Sequence, residues 1–123
     1  MRWMIVDDSA VFVHAACLLL EHEGITIVGV ASTTEEAMRR FQELAPDLTL
    51  VDVELGDECG FDLAEQLIAI GSQTPVILVS THTAEQFEDM IAASPATGFI
   101  CKTDLTVDAI TALVDGSAQA PRR

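Results

Sequence analysis

Asp7, Asp8, Asp52, Ser80 and Lys102 are scattered along the sequence, yet each follows on a short apolar run. Trp3 to Val6 leads into Asp7 and Asp8, Leu48 to Val51 into Asp52, Val76 to Val79 into Ser80, and Gly98 to Cys101 into Lys102. Three carboxylates, a hydroxyl and an ammonium make a chemically capable set. Carboxylates gathered in one place raise one another's pKa unless a cation offsets them. Their oxygens suit Mg2+, which takes few carboxylates and keeps several waters. A lysine point charge and a serine hydroxyl are both fit to hold a phosphoryl group. One carboxylate can also act as a nucleophile and form an aspartyl-phosphate. Phosphoryl transfer asks for little beyond positioning and charge neutralisation. Singly, each residue has a plainer reading. Asp7-Asp8 reads as a helix N-cap with a solvated neighbour, Asp52 as a loop acid ahead of Glu54, Asp57 and Glu58, Ser80 as a turn residue, and Lys102 as a solvated lysine. The set is more specific than its members.

These residues must be brought together by the elements between them. The four runs, with Thr26 to Val30, have strand length and near-continuous hydrophobicity, as in parallel strands buried on both faces. Five helix-length segments alternate with them. Val11 to Glu21 carries Val11, Ala15, Leu18 and Leu19 at the spacing of one face. Glu35 to Leu44 follows a capping box, Thr33-x-x-Glu36. Phe61 to Ile70 has Phe61, Ala64, Leu67 and Ile68 in helical register. Thr83-x-x-Gln86 is a second capping-box pattern, opening a helix over Ala84 to Ala93. Leu105 to Val114 shows Leu105, Ala109, Ile110 and Leu113. Pro46, Pro75 and Pro95 fall between elements, where proline costs least, and Gly24 and Gly60 read as turn or helix-end residues. Regular β-α alternation predicts a parallel sheet with helices on both faces. The chain is too short for an eight-unit barrel, which leaves an open three-layer α/β/α sandwich. In such sheets ligands sit at the carboxyl edge of the strands, so the five residues meet on one rim.

Composition narrows the function classes. The chain has 123 residues, half of them apolar, which suits one globular domain. Twenty acidic residues against six basic ones give a formal charge of −14. That charge repels phosphate backbones and anionic membranes, so direct nucleic-acid binding is not expected. No apolar run approaches a membrane span, and Asp7-Asp8 interrupts the N-terminal run too early for a signal peptide. A cytoplasmic location is the expectation. Cys17, Cys59 and Cys101 are odd in number and far apart, and read as reduced thiols. His14, His22 and His82 share no metal-ligand spacing, and Met4, Met38, Met90 and Phe99 read as packing residues.

With these motifs in hand, the sequence resembles the CheY-like receiver domain of bacterial two-component response regulators. The matching stretches are Ile5-Val6-Asp7-Asp8-Ser9, Leu50-Val51-Asp52-Val53-Glu54-Leu55, Gly60-Phe61-Asp62-Leu63, Val76-Ile77-Leu78-Val79-Ser80 and Gly98-Phe99-Ile100-Cys101-Lys102. The resemblance implies a flavodoxin-like, five-stranded parallel sheet in order 2-1-3-4-5. It implies Asp52 as phosphoacceptor, Asp8 as a direct Mg2+ ligand, Asp7 as a ligand partly through water, and Asp52 and the backbone carbonyl of Glu54 as further ligands. Lys102 would contact the phosphoryl group, Ser80 would move towards it, and Phe99 would change rotamer with Ser80. The implied partners are a histidine kinase or phosphotransfer protein upstream and a downstream protein or output domain. The implied readout face is built from the fourth helix, fifth strand and fifth helix, and a phosphorylation-dependent homodimer through the last two helices is compatible with it.

Three positions depart from the family pattern. Thr103 follows Lys102 where proline joined by a cis bond is common, which points to a trans bond and a differently placed lysine. Gly56 replaces a common proline, which points to a more mobile phosphoacceptor loop. Thr81 is bulkier than the frequent alanine or glycine, which would shield Asp52. The domain is expected over residues 1–116, with a flexible tail at 117–123. Two other readings stay open. One is a receiver-like interaction module that is never phosphorylated. The other is a small haloacid-dehalogenase-type phosphatase, suggested by Asp52-x-Glu54 but lacking that family's usual second aspartate.

Overall fold

The computed structural model describes residues 1–71 and 74–119. Five strands form one parallel sheet: β1 (Arg2–Val6), β2 (Thr26–Ala31), β3 (Leu48–Asp52), β4 (Val76–Ser80) and β5 (Gly98–Cys101). Their spatial order is β2-β1-β3-β4-β5, the flavodoxin-like order expected. The central strands β3 and β4 are buried at every position, which is why they read as unbroken apolar runs rather than alternating ones.

Five helices cover the sheet: α1 (Ala10–His22), α2 (Thr34–Leu44), α3 (Gly60–Ile70), α4 (Glu88–Ala93) and α5 (Val107–Gln119). Ala16 and Leu20 of α1 and Ile110 of α5 pack with Trp3, Ile5, Leu50 and Ile77 on one face. Ala37 and Phe41 of α2 and Leu63, Ala64 and Leu67 of α3 pack with Met4, Val6, Val51 and Leu78 on the other. Among the described residues no helix is long and apolar enough to cross a membrane.

Local chemistry sets the helix ends. Thr33 caps α2, its hydroxyl accepting from the Glu36 N–H at 3.2 Å. Glu36 returns a bond to the Ser32 N–H at 2.8 Å, one residue earlier than the textual pattern would place it. At the other end of α2 the Arg2 guanidinium donates to the Leu44 and Ala45 carbonyls at 2.8 and 3.0 Å. A cation there meets the negative end of the helix dipole and satisfies orphan carbonyls.

Several expectations need correcting. The α1 stripe Val11, Ala15, Leu18 and Leu19 is exposed, Val11 at 83% and Leu18 at 60%. The buried stripe is Ala16 and Leu20, backed by Phe12, Val13 and Cys17. The helix expected over Ala84 to Ala93 is a 3-10 turn, Ala84–Phe87, followed by the short α4, and Thr83 makes no side-chain cap bond. The last helix starts later than Leu105, because the Thr106 hydroxyl accepts from the Ala109 N–H at 3.0 Å and fixes the start there. Leu105 is buried just ahead of it. Helix α5 runs through Gln119, and of the tail expected at 117–123, residues 120–123 lie outside the described residues.

Candidate functional site

Strand register delivers the predicted residues to one place. Val6 pairs with Val51, so the residues that follow, Asp7 and Asp52, are neighbours at the ends of β1 and β3. Asp52 pairs with Val79, which puts Ser80 one step beyond, and Ser80 pairs with Cys101, which puts Lys102 one step beyond that. Each step outward along the sheet is one residue longer, and the four strand ends form a rim.

The first loop is held by its own side chains. The Asp7 Oδ1 accepts from the Ser9 N–H at 2.8 Å, and Ser9, not Asp7 or Asp8, is the α1 N-cap, accepting from the Phe12 N–H at 3.3 Å. The cap reading of the aspartate pair is thereby replaced, and both carboxylates turn to the rim. Asp7 and Asp52 are buried and Asp8 is exposed. Carboxylate oxygens of all three lie within 4.8 Å of one another.

Lys102 closes the group. Its Nζ lies 2.7 Å from Asp7 Oδ2 and 3.6 Å from Asp52 Oδ2. The Asp7 oxygen is buried and accepts no well-directed hydrogen bond, so the ammonium serves it as a point charge. The same ammonium sits 4.3 Å from the centre of the Phe12 ring, a cation–π contact that steers the chain inward. The Lys102–Thr103 bond is trans, as the missing proline suggested, and the lysine reaches the site regardless.

The charge balance tests the site for a metal ion. Three carboxylates and one ammonium leave two negative charges, which a divalent cation with oxygen preference would neutralise. The buried Asp7 oxygen beside the ammonium is the kind of acceptor that such an ion also satisfies. The residues fit Mg2+. Without an ion, the Asp52 carboxyl is pushed from 3.8 up to about 6, chiefly by burial and then by the Asp7 charge. Lys102 and the Glu54 N–H, which donates to Asp52 Oδ1 at 3.3 Å, pull it down, and Asp8 adds a smaller push.

The phosphoacceptor-side loop contains a short ribbon that its sequence did not suggest. Glu54–Leu55 and Glu58–Cys59 form a two-residue antiparallel ribbon. Gly56 turns between them with φ at +58°, which proline cannot adopt. Gly60 is needed for space rather than for its dihedral angles, because a Cβ there would overlap the Asp52 carbonyl and the Val53 backbone. Its N–H donates to the Val53 carbonyl at 2.8 Å, which docks α3 directly against the end of β3.

Asp8, Asp52 and Lys102 line an open cleft of about 590 Å³ together with Val11, Phe12, Glu54, Thr81 and His82. Thr81 is exposed and also lines this cleft. Ser80 is fully buried, and neither it nor Phe99 is among the residues that line this cleft. The Ser80 hydroxyl accepts from the His82 N–H at 3.0 Å. Phe99 packs against Phe87, ring centres 6.2 Å apart. Sequence reading missed Phe12 as the seat of the lysine and the contact between His82 Nε2 and Glu54 Oε1 at 3.1 Å.

Comparison with known proteins matches residues 3–115 to the family described as response regulator receiver domain. The chain belongs to that family. The receiver is 29% identical over 119 residues to the uncharacterized transcriptional regulatory protein YvfU of Bacillus subtilis, covering 94% of this chain and 60% of that one. It thus spans less than two thirds of that relative's length, and smaller shares of other curated relatives. Among solved structures it resembles a LuxR-family two-component response regulator from Aurantimonas sp., with TM-score 0.83, 24% identity and coverage of 94% and 85% of the two chains. A response regulator from Burkholderia pseudomallei, solved with a phosphorylated aspartic acid and a calcium ion, superposes with TM-score 0.82 at 18% identity, covering 98% and 71%. At these identities the structural likeness speaks for the fold. The receiver is a signal-transduction domain of two-component systems.

Proposed function

We propose that this receiver accepts a phosphoryl group on Asp52 from the phosphohistidine of a histidine kinase or phosphotransfer protein, and passes its phosphorylation state to a downstream protein or output domain. The observation that carries the reading is the buried Asp52 carboxylate with two further carboxylates within 4.8 Å and an ammonium at 3.6 Å. Asp8 and Asp52 would hold Mg2+, with Asp7 partly through water and the Glu54 backbone carbonyl as a further oxygen. The ion supplies charge neutralisation for phosphoryl oxygens.

The chain's own groups do the rest. With its pKa at about 6, Asp52 is mostly ionised at neutral pH and available as the nucleophile. A carboxylate oxygen bonds phosphorus as the donor's P–N bond breaks, and the imidazole leaves with the electron pair. Lys102 turns from Asp52 to the new phosphoryl oxygens. Ser80 gives up the His82 amide and bonds the phosphoryl group, and Phe99 follows into the space it leaves. The face of α4, β5 and α5 repacks in response. Water attack on phosphorus later releases phosphate and restores the carboxylate. This is self-catalysed transfer, not turnover of an external substrate. The exposed apolar stripe of α1 begins at the cleft with Val11, and we assign the phosphodonor's docking to it. We place the switch in the cytoplasm, where its three free thiols persist.

The test is phosphorylation with phosphoramidate and Mg2+, comparing wild type with Asp52→Ala. The expected result is an acid-stable, hydroxylamine-labile adduct in the wild type and none in the variant. Retained aspartyl phosphorylation in the variant would sink the assignment.

A further inference from the structure

We propose that His82 is a positioning residue that latches the resting receiver, clasping Glu54 across the mouth of the Asp52 cleft and tying Ser80 to the aromatic seat of α4. The proposal rests on the reading of Asp52 as phosphoacceptor, and it adds a part that the chemistry of transfer does not require.

Three contacts diverge from this one residue. The first is the ring Nε2, 3.1 Å from Glu54 Oε1. His82 follows β4 and Glu54 follows β3, and both side chains line the cleft that holds Asp52. Their contact therefore bridges two loops that flank the cleft. A neutral imidazole with hydrogen on Nε2 can donate this bond, as a charged one does.

The second contact is the backbone. The His82 N–H donates to the fully buried Ser80 hydroxyl oxygen at 3.0 Å. Turning that oxygen towards a phosphoryl group on Asp52 breaks this bond and frees the His82 backbone. The third contact is the ring edge, which meets Phe87 with ring centres 6.0 Å apart and planes 69° from parallel. Phe87 also packs on Phe61 at 5.9 Å and on Phe99 at 6.2 Å. It ends the 3-10 turn and is the N-cap of α4, and neither element has a fully buried residue. A segment so thinly packed opens at low cost once a contact is lost. His82 thus joins the phosphoacceptor loop, the switch hydroxyl and the base of α4, and it couples the state of one to the others.

The first test is hydrogen exchange of the amides of residues 83–89 in the unphosphorylated protein. His82→Ala and Glu54→Ala are each expected to speed exchange, by roughly two- to ten-fold, the range for losing one exposed or half-exposed polar contact. The double variant is expected to match His82→Ala alone, because the Glu54 side chain acts on α4 through His82. Exchange at the wild-type rate in both single variants, or effects that multiply in the double variant, would overturn the latch. The second test is the rate of adduct formation with phosphoramidate and Mg2+. An open mouth is expected to raise it by a similar factor in His82→Ala, and an unaltered rate counts against the proposal. If wild-type Asp52 takes no phosphoryl group, that reading fails, while the exchange measurement still decides the latch.

Discussion

Replacing Asp52 by Asn is expected to stabilise the metal-free fold while removing its proposed function. The unfolded carboxyl ionises near 3.8 and the folded one near 6, a difference of 2.2 pK units (6 − 3.8). At about 1.36 kcal/mol per unit, the ionised group costs the folded state about 3 kcal/mol. The sign follows from proton binding. Below pH 3.8 the carboxyl is protonated in both states and costs nothing. Between pH 3.8 and about 6 the unfolded chain gives up its proton first, so wild-type stability falls as pH rises. Above pH 6 the cost is complete. Asn carries no charge and escapes it. Urea unfolding in EDTA, followed by the fluorescence of the buried Trp3, should show the variant more stable by about 3 kcal/mol at pH 7.5 and by about half that at pH 5. In a chain of this size the larger gap corresponds to roughly 10 °C in Tm. Adding Mg2+ should narrow the gap, because the ion binds the wild-type carboxylates more tightly than the depleted set. A variant no more stable than wild type at pH 7.5, or a gap indifferent to pH, would refute the reasoning.

Three further outcomes follow from packing. Gly60→Ala should cost about 1–3 kcal/mol and weaken Mg2+ binding, since the added carbon collides with the Asp52 carbonyl; urea titration and isothermal calorimetry check both. Leu20→Ala should cost about 2–5 kcal/mol, and Leu18→Ala, on the exposed stripe, no more than about 0.5 kcal/mol, by the same unfolding assay. The buried Thr49 hydroxyl has no hydrogen-bond partner among the described residues, so Thr49→Val should stabilise by about 1 kcal/mol, read as a rise in thermal midpoint.

The strands and the rim residues were legible because burial on both faces leaves a plain mark. Apolar runs end where polar side chains reach the carboxyl edge, and that alone placed Asp7, Asp8, Asp52 and Lys102 together. The face of α1 was not legible, because Ala10 to Leu20 is apolar almost throughout. Val11-Ala15-Leu18 and Ala16-Leu20 both satisfy helical spacing, and only contact with the sheet chooses the second. The start of α4 was misjudged for a different reason. Thr83 and Gln86 have the letters of a capping box, but Phe87 is drawn into the cluster with Phe61 and Phe99, and the first turn tightens into a 3-10 conformation. Gly60 was singled out for the wrong property, since its tight approach to Asp52 joins residues eight positions apart and leaves no local signal. Phe12 under Lys102 and His82 against Glu54 are likewise pairings that only the folded chain creates.

Incubation with acetyl phosphate and Mg2+, followed by intact mass and location of any adduct, tests the central claim most directly. The account expects one phosphoryl group, carried on Asp52 and absent in EDTA. No adduct under conditions where Mg2+ binding is separately demonstrated would contradict it and favour an interaction module that works without phosphorylation.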